Sequence, residues 1–302
     1  MNQLILHHYD VSPFSEKVRM VLGLKNIAWK SVVIPDISPK PDLRPLTGGY
    51  RHTPVLQIGA DVYCDTRLIV NEIERRYPTP PLWSREKEGL NRVIEVWAER
   101  DLFWPAAHFV TGINAQTLGP RFHTDRAALR GKSPPSLRSI QKAADRGLSE
   151  LNVQLPVLNS LLSGHHPYLL GQEPSLADIS TYHALWFLKS LPIDCSYILE
   201  PYKKIIAWMK RLGTIEHGER QEISAKEALE VARENQPTPV RSSDQPPKNT
   251  RVAVYPSSAQ TEPVKGMLVI RAHNHIAVKR SDPKVGSVVV HFPQIGYIVK
   301  EI

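Results

Sequence analysis

The chain has 302 residues, enough for two domains and a small third, and for a core that holds without staples. Its two cysteines, Cys64 and Cys195, sit far apart in sequence and form neither a secreted disulfide framework nor a zinc motif. Of the formal charge of +8, +5 lies after Pro237, a mild excess spread over strands that reads as a solvated surface and argues against nucleic acid as a partner. No apolar run approaches the roughly 20 residues that span a bilayer. The opening MNQLILHHYD lacks a basic n-region and an apolar h-region. The expectation is a soluble, cytoplasmic protein with no signal peptide and no membrane partner.

Residues 4–8 read as a strand. Val18, Val21 and Leu22 fall at i, i+3 and i+4, which predicts a helix over 15–24. Trp29 to Ile34 alternates with β-branched residues and reads as a second strand. Residues 35–50 carry Pro, Asp, Ser and Gly and predict a loop with at most a short helix. Two short strands follow at 54–58 and 61–64, with Gly59 between them. Asp65 then opens a helix whose apolar face is Leu68, Ile69 and Ile73. The order β-α-β-loop-β-β-α is a thioredoxin-like arrangement.

Pro78 to Pro81 is a proline-rich boundary, and the pattern beyond it is helical. Residues 86–110 form a long amphipathic stretch in which Pro105 predicts a kink or break. Further helices are predicted at 137–162, 175–190, 201–212 and 222–234. Ser175 and Asp178 have the spacing of a capping box. Residues 235–250 have the composition of a linker. Short β-rich runs at 267–270, 276–279, 287–292 and 297–299, punctuated by Gly, predict a small barrel or hairpin module. The division is therefore 1–80 as an α/β thioredoxin-like domain and 85–234 as an all-helical domain. A linker at 235–250 and a separable all-β module at 251–302 complete it. Such a module should lean on the helical domain or on a second copy.

Three places can carry chemistry. Ser12 falls where the first strand gives way to a helix, with Pro13 suited to the first turn. Its hydroxyl could donate to a bound thiolate and lower that thiol's pKa, or it could simply cap the helix. Tyr9 and Ser15 are its rivals. Pro54 is odd at the head of a strand, and a cis Thr53–Pro54 peptide would explain it. Asp65-Thr66 opens a helix, where backbone N–H groups bind carboxylates and where Asp65 is also a good plain cap. Trp97, Phe103, Trp104 and His108 lie at helical spacing and are mostly core by type, though some should line a cleft between the domains. His273, His275 and His291 have no Cys or acidic cluster beside them, so no metal site is expected.

SPFSEKVR (12–19), HTPVL (52–56) and CDTRLI (64–69), in this order and spacing, resemble the glutathione-binding domain of cytosolic glutathione transferases, closest to the tau and omega classes. The resemblance covers about three quarters of the chain, up to residue 234, and leaves the tail unexplained. It implies glutathione as co-substrate, with Ser12 holding its thiolate for attack on an apolar electrophile or a peroxide. The omega class has a cysteine at the Ser12 position, so mixed-disulfide chemistry is not available there. The resemblance implies a cis Pro54 with the Val55 backbone, and Thr53 beside it, on the cysteinyl part. It puts Asp65 and Thr66 on the γ-glutamyl end, and His52 or Arg51 toward the glycyl carboxylate. It implies a homodimer. The other function class is a non-enzymatic scaffold that binds glutathione or a protein partner.

Overall fold

A computed structural model of the protein describes residues 3–240, 250–259 and 261–302, so most of the expected 235–250 linker lies outside the described residues. The first domain runs β1 (Leu4–His8), α1 (Pro13–Leu24), β2 (Ala28–Val33), α2 (Arg44–Thr47), β3 (Val55–Ile58), β4 (Asp61–Cys64) and α3 (Thr66–Arg76). This is the thioredoxin-like order read from the sequence. β1 pairs parallel with β2 and antiparallel with β3, and β3 pairs antiparallel with β4.

Side chains alternate between two cores, as the period of a strand requires. Leu4, Leu6, Leu56, Ile58 and Tyr63 enter the core shared with the helices. Ile5, Val55, Val62 and Cys64 enter a second core on the opposite face. The sheet is thus buried on both sides.

The helical domain comprises α4 (Glu88–Trp97), α5 (Phe103–Ile113), α6 (Ala115–Leu129), α7 (Leu137–Leu161), α8 (Leu176–Trp186) and α9 (Lys203–Leu212). The break expected at Pro105 begins earlier, in a π-turn at Ala98–Leu102 between α4 and α5. Pro105 offers no N–H to the Asp101 carbonyl, and its ring crowds that turn; widening the turn ahead of it relieves both. Nothing in the sequence pattern predicts α6, which is broken at Gly119 (φ 72°) beside Pro120. α8 is the buried centre of the domain. Asp178 in its first turn accepts from the Ser175 N–H at 3.0 Å, the Leu169 N–H at 2.8 Å and Trp208 Nε1 at 2.9 Å. The predicted capping box is therefore also a knot between three segments.

The predicted helix at 222–234 begins later. Glu219–Glu222 is strand β5, paired parallel with β2, and α10 is Ala225–Glu234. The return of the chain onto β2 is close: a Cβ on Gly218 would lie 2.3 Å from the Ile27 carbonyl oxygen. α10 packs its Ala228 and Ala232 into the second core, and its Ala228 carbonyl accepts from Gln57 Nε2 at 2.8 Å.

The tail forms β6 (Arg251–Pro256), β7 (Val264–Ala272), β8 (His275–Asp282), β9 (Gly286–Pro293) and β10 (Tyr297–Glu301). The hairpins predicted there are present, but they close no barrel. β9 pairs parallel with β4, and all the strands join one ten-stranded sheet in the order β10-β6-β7-β8-β9-β4-β3-β1-β2-β5. The strands expected to lean on the helical domain or on a second copy instead pair with the first domain, through β9 and β4. An uncovered β4 would present a row of unpaired N–H and C=O groups, and β9 takes that edge. Val252, Val278, Val290 and Phe292 fill the second core beside Val62 and Cys64. Both cysteines are free and buried.

One buried polar chain fastens this seam. Asp61 Oδ1 lies 3.1 Å from His291 Nε2, whose Nδ1 lies 2.9 Å from His275 Nε2. The other oxygen, Oδ2, accepts from the Thr238 backbone N–H at 2.9 Å and from its hydroxyl at 2.5 Å. His291 also stacks on Tyr63 with ring centroids 4.4 Å apart. Burial pushes the Asp61 carboxyl up, but His291 and Thr238 together outweigh it and hold the carboxyl below its ordinary 3.8.

Two outcomes follow from this seam. Asp61→Ala leaves the buried His291 ring without its carboxylate partner and removes the tie to Thr238, and should cost about 1–3 kcal/mol in a urea unfolding experiment. Because the folded value is the lower one, the Asp61 contribution is complete above pH 3.8 and is lost as pH falls through the depressed value. A chain ending at residue 240 should lose its cooperative thermal transition. It would expose the β4 edge and half of the second core; fully burying Phe292 alone contributes roughly 1.5–3 kcal/mol.

Candidate functional site

The C-terminal end of β1, the start of β3 and the end of β4 lie at one edge of the sheet, since His7 faces Val55 and Val55 faces Cys64. Ser12, Pro54 and Asp65 follow from those three ends. The sequence-predicted residues are therefore brought together by strand register.

Ser12 is 2 % exposed and is the N-cap of α1. Its Oγ accepts from the Ser15 N–H at 3.2 Å, and its own N–H donates to the Tyr9 carbonyl at 3.1 Å. As an acceptor in the cap, the hydroxyl keeps its proton to donate. The capping role and the donating role are thus compatible. Ser15 is fully buried, and its Oγ has no partner among the described residues. Phe14 points the other way, into the helical domain, 4.7 Å from the Phe103 ring and 5.1 Å from the His183 ring. It locks the Ser12 turn to α5 and α8.

The Thr53–Pro54 peptide is cis, as the sequence suggested. Val55 has a strand on each side, His7 and Cys64, so its peptide groups face the sheet. Thr53, ahead of the proline, lies outside the strand ladder. Asp65 N-caps α3, with Oδ1 accepting from the Arg67 N–H at 2.9 Å. Its φ of 76° is unusual for a non-glycine residue. Thr66, 7 % exposed, begins α3 itself.

The two ends of this edge have opposite polarity. Near Thr53, Lys40 Nζ donates to Thr53 Oγ1 at 2.7 Å and sits 5.7 Å over the Tyr9 ring. Arg126 of α6 donates to the Tyr9 hydroxyl at 3.3 Å and to Asp125 Oδ2 at 2.7 Å, while Arg51 pairs with Asp125 Oδ1. Three cations share one close carboxylate. Burial and the neighbouring Arg126 pull the Lys40 ammonium down to about 8. His52, predicted as a basic residue, is held near 4 by burial and by Lys40, Arg51 and Arg126. It is therefore neutral at pH 7, and its buried Nε2 has no partner among the described residues. Lys40 is the cation that sequence reasoning missed; it lies in a Ser-Pro-Lys-Pro loop with no periodic signal.

At the other end Lys17 is fully buried and donates to Glu95 at 2.7 Å and to Glu99 at 2.6 Å, both from the helical domain. Burial raises the Asp65 carboxyl, opposed by the Arg67 N–H and the Lys17 charge. Of the aromatics expected near the cleft, Phe103 is core, and Trp97 packs on the core and donates to Gln154. Trp104 is 40 % exposed, with Arg130 4.8 Å over its ring and His108 6.1 Å away. Among the described residues no cluster of His, Cys, Asp and Glu could hold a metal.

Known proteins share this fold. Residues 6–81 match the family model of the glutathione S-transferase N-terminal domain, and residues 120–216 that of the C-terminal domain. A GST-like protein from Pseudomonas syringae superposes with a TM-score of 0.81 at 34% identity, over 100% of both chains. The chain belongs to the glutathione transferase superfamily. Poplar glutathione transferase F1 shares the fold, with a TM-score of 0.57 at 14% identity over 72% of this chain and 95% of that one. A further relative, FtsZ-localized protein A of Caulobacter vibrioides, is 26% identical over 178 residues, 58% of this chain and 72% of the relative. The Pseudomonas match spans the tail as well as the two transferase domains. No helix among the described residues is long and apolar enough to cross a membrane.

The transferase scaffold rests on the Lys17 junction between its domains. Lys17→Met should destabilise the protein by about 3–5 kcal/mol, because it leaves two carboxylates against a buried site that held a charge. Urea unfolding monitored by tryptophan fluorescence reads this directly.

Proposed function

We propose that this protein binds glutathione along the Ser12–Thr53–Asp65 edge and activates its thiolate for attack on an electrophilic second substrate. The observation that carries the reading is Ser12: a buried N-cap whose oxygen accepts from Ser15 and whose hydroxyl proton remains to donate at the start of α1. A thiolate there is stabilised by one hydrogen bond and by the helix N-terminus, which lowers the thiol pKa. Thr53 supplies backbone to the cysteinyl part, with Pro54 and Val55 shaping the strand end. Asp65 takes the α-ammonium group and Thr66 the carboxylate of the γ-glutamyl end. Lys40 and Arg51 face the glycyl carboxylate, with His52 as a neutral neighbour. The second substrate meets Tyr9, Trp104 and His108, with Arg126 and Arg130 favouring a body that carries an anionic group.

The group transfer itself is simple. The sulfur forms a bond to the electrophilic carbon, the leaving group departs with its bonding pair, and the thiol proton has already gone to solvent. Positioning and the lowered pKa supply the rate. Localisation in the cytoplasm and a two-fold dimer belong to the same reading.

Ser12→Ala should lower turnover by about 10-fold or more, the scale of one lost transition-state hydrogen bond, while glutathione still binds. The thiolate absorbance of bound glutathione should titrate at higher pH. The reading fails if Ser12→Ala leaves that titration unchanged while Tyr9→Phe or Ser15→Ala moves it. Because Lys40 loses its proton near pH 8, glutathione affinity should decline above that pH in the wild type and not in Lys40→Met.

A second reading has its own support. The similarity to FtsZ-localized protein A includes a name that records localisation with a protein, FtsZ. On α7, Val153, Val157 and Leu161 stand 65%, 46% and 48% exposed at i, i+4 and i+8. Such a stripe suits a protein partner. Retention on immobilised glutathione without turnover across a panel of electrophiles would favour this binding role.

A further inference from the structure

The tail reaches the site. Tyr297, the first residue of β10, lies with its hydroxyl 3.3 Å from Asp65 Oδ2 and 3.2 Å from the Tyr50 hydroxyl. The Tyr297 hydroxyl has one proton; given to Asp65 Oδ2, it leaves the Tyr50 hydroxyl to donate to the Tyr297 oxygen.

We propose that Tyr297 is a positioning residue of the γ-glutamyl site, its hydroxyl holding the Asp65 carboxylate for the α-ammonium group of glutathione. The inference rests on the glutathione reading given above and extends it to the C-terminal strands.

Three observations carry it. The first is stoichiometry. Each carboxylate oxygen of Asp65 already has one donor, Arg67 N–H on Oδ1 and Tyr297 on Oδ2, and each retains a second lone pair for an ammonium. Tyr297 therefore fixes the carboxylate without filling it. The second is rigidity. The Tyr297 ring packs 5.2 Å from Phe292 and 6.4 Å from Tyr50, and its backbone pairs with Pro256 of β6. A hydroxyl held from three sides is a fixed donor. The third is charge. An ammonium is recognised by a carboxylate and not by a carboxylic acid. Burial favours the acid at Asp65, while the Arg67 N–H, Lys17 and the Tyr297 hydroxyl favour the ion. The Arg67 charge favours the ion as well, whereas Glu99 and, in its ionised form, Cys64 oppose it.

The test is calorimetric titration of the full chain with glutathione and with its des-amino analogue, glutaryl-cysteinylglycine. The wild type should prefer glutathione by 10-fold or more. Tyr297→Phe keeps the ring and its packing; it should weaken glutathione 3- to 10-fold and leave the analogue within 2-fold. In an Asp65→Asn background the same change should have no effect on either ligand, so the cycle stands even if one variant melts lower. Equal losses for both ligands, no loss, or tighter glutathione binding would each overturn the proposal; the last would mean that the phenol competes for the carboxylate. A wild type that binds neither ligand overturns the glutathione reading itself. One that binds both alike overturns only the assignment of Asp65.

Discussion

β4 is four residues long and is bracketed by two aspartates, and both are held by the tail. Asp61 at its head bonds His291 of β9, and Asp65 just past its end meets Tyr297 of β10. Between them the strand pairs with β9 through Asp61–Val289, Val62–Val290 and Tyr63–His291. The seam is thus pinned at both ends by carboxylates and zipped between by backbone. A buried carboxylate without partners would be expensive. The seam cannot open at one end without exposing that cost, and so the sheet edge and the ligand edge are coupled.

The second face of the sheet imposes the same dependence from below. Val55, Val62 and Cys64 point away from the helical domain and need a cover. α10 gives Ala228 and Ala232, with Ala225, Leu229 and Val231 packed against the same core, and a carbonyl for Gln57, which covers part of this face. The tail supplies Val252, Val278, Val290 and Phe292. Without it, the strand ends that carry Pro54 and Asp65 would rest on half a core. Exactness of position at the ligand edge therefore derives from apolar packing on the far side of the sheet.

Much of this was legible in the sequence, and the gaps have physical causes. The first 80 residues were readable because their signals are local: i, i+3, i+4 spacing in α1, a Gly turn between β3 and β4, an acid opening α3. Ser12, Thr53-Pro54 and Asp65-Thr66 stand out as candidates because turns and caps leave residue-level marks. The tail's strands were also visible, but their partner was not. Strand pairing across more than 200 residues, Asp61 with Val289, has no sequence period. The same limit hid Tyr297. It hid Lys40 and Arg126 as well, whose roles come from loop and helix ends meeting at Tyr9. His52 was read as basic because its type is; only the structure shows that burial and three neighbouring cations keep it neutral.

The distribution of charge along the edge gives the site a direction. Lys40, Arg51 and Arg126 gather at the Thr53 end against one close carboxylate, Asp125. Asp65 stands at the other end, with Glu95 and Glu99 behind it largely absorbed by Lys17 and Arg92. Under the proposed glutathione reading, the glycyl end, which carries a carboxylate alone, lies toward the cations, and the γ-glutamyl end, which alone carries an ammonium, lies toward Asp65. The cysteinyl thiol between them then falls at the Ser12 turn. On that reading orientation is an electrostatic property of the two ends and thiol activation a local property of the α1 N-terminus, while the tail, through Tyr297, holds Asp65 without touching Ser12.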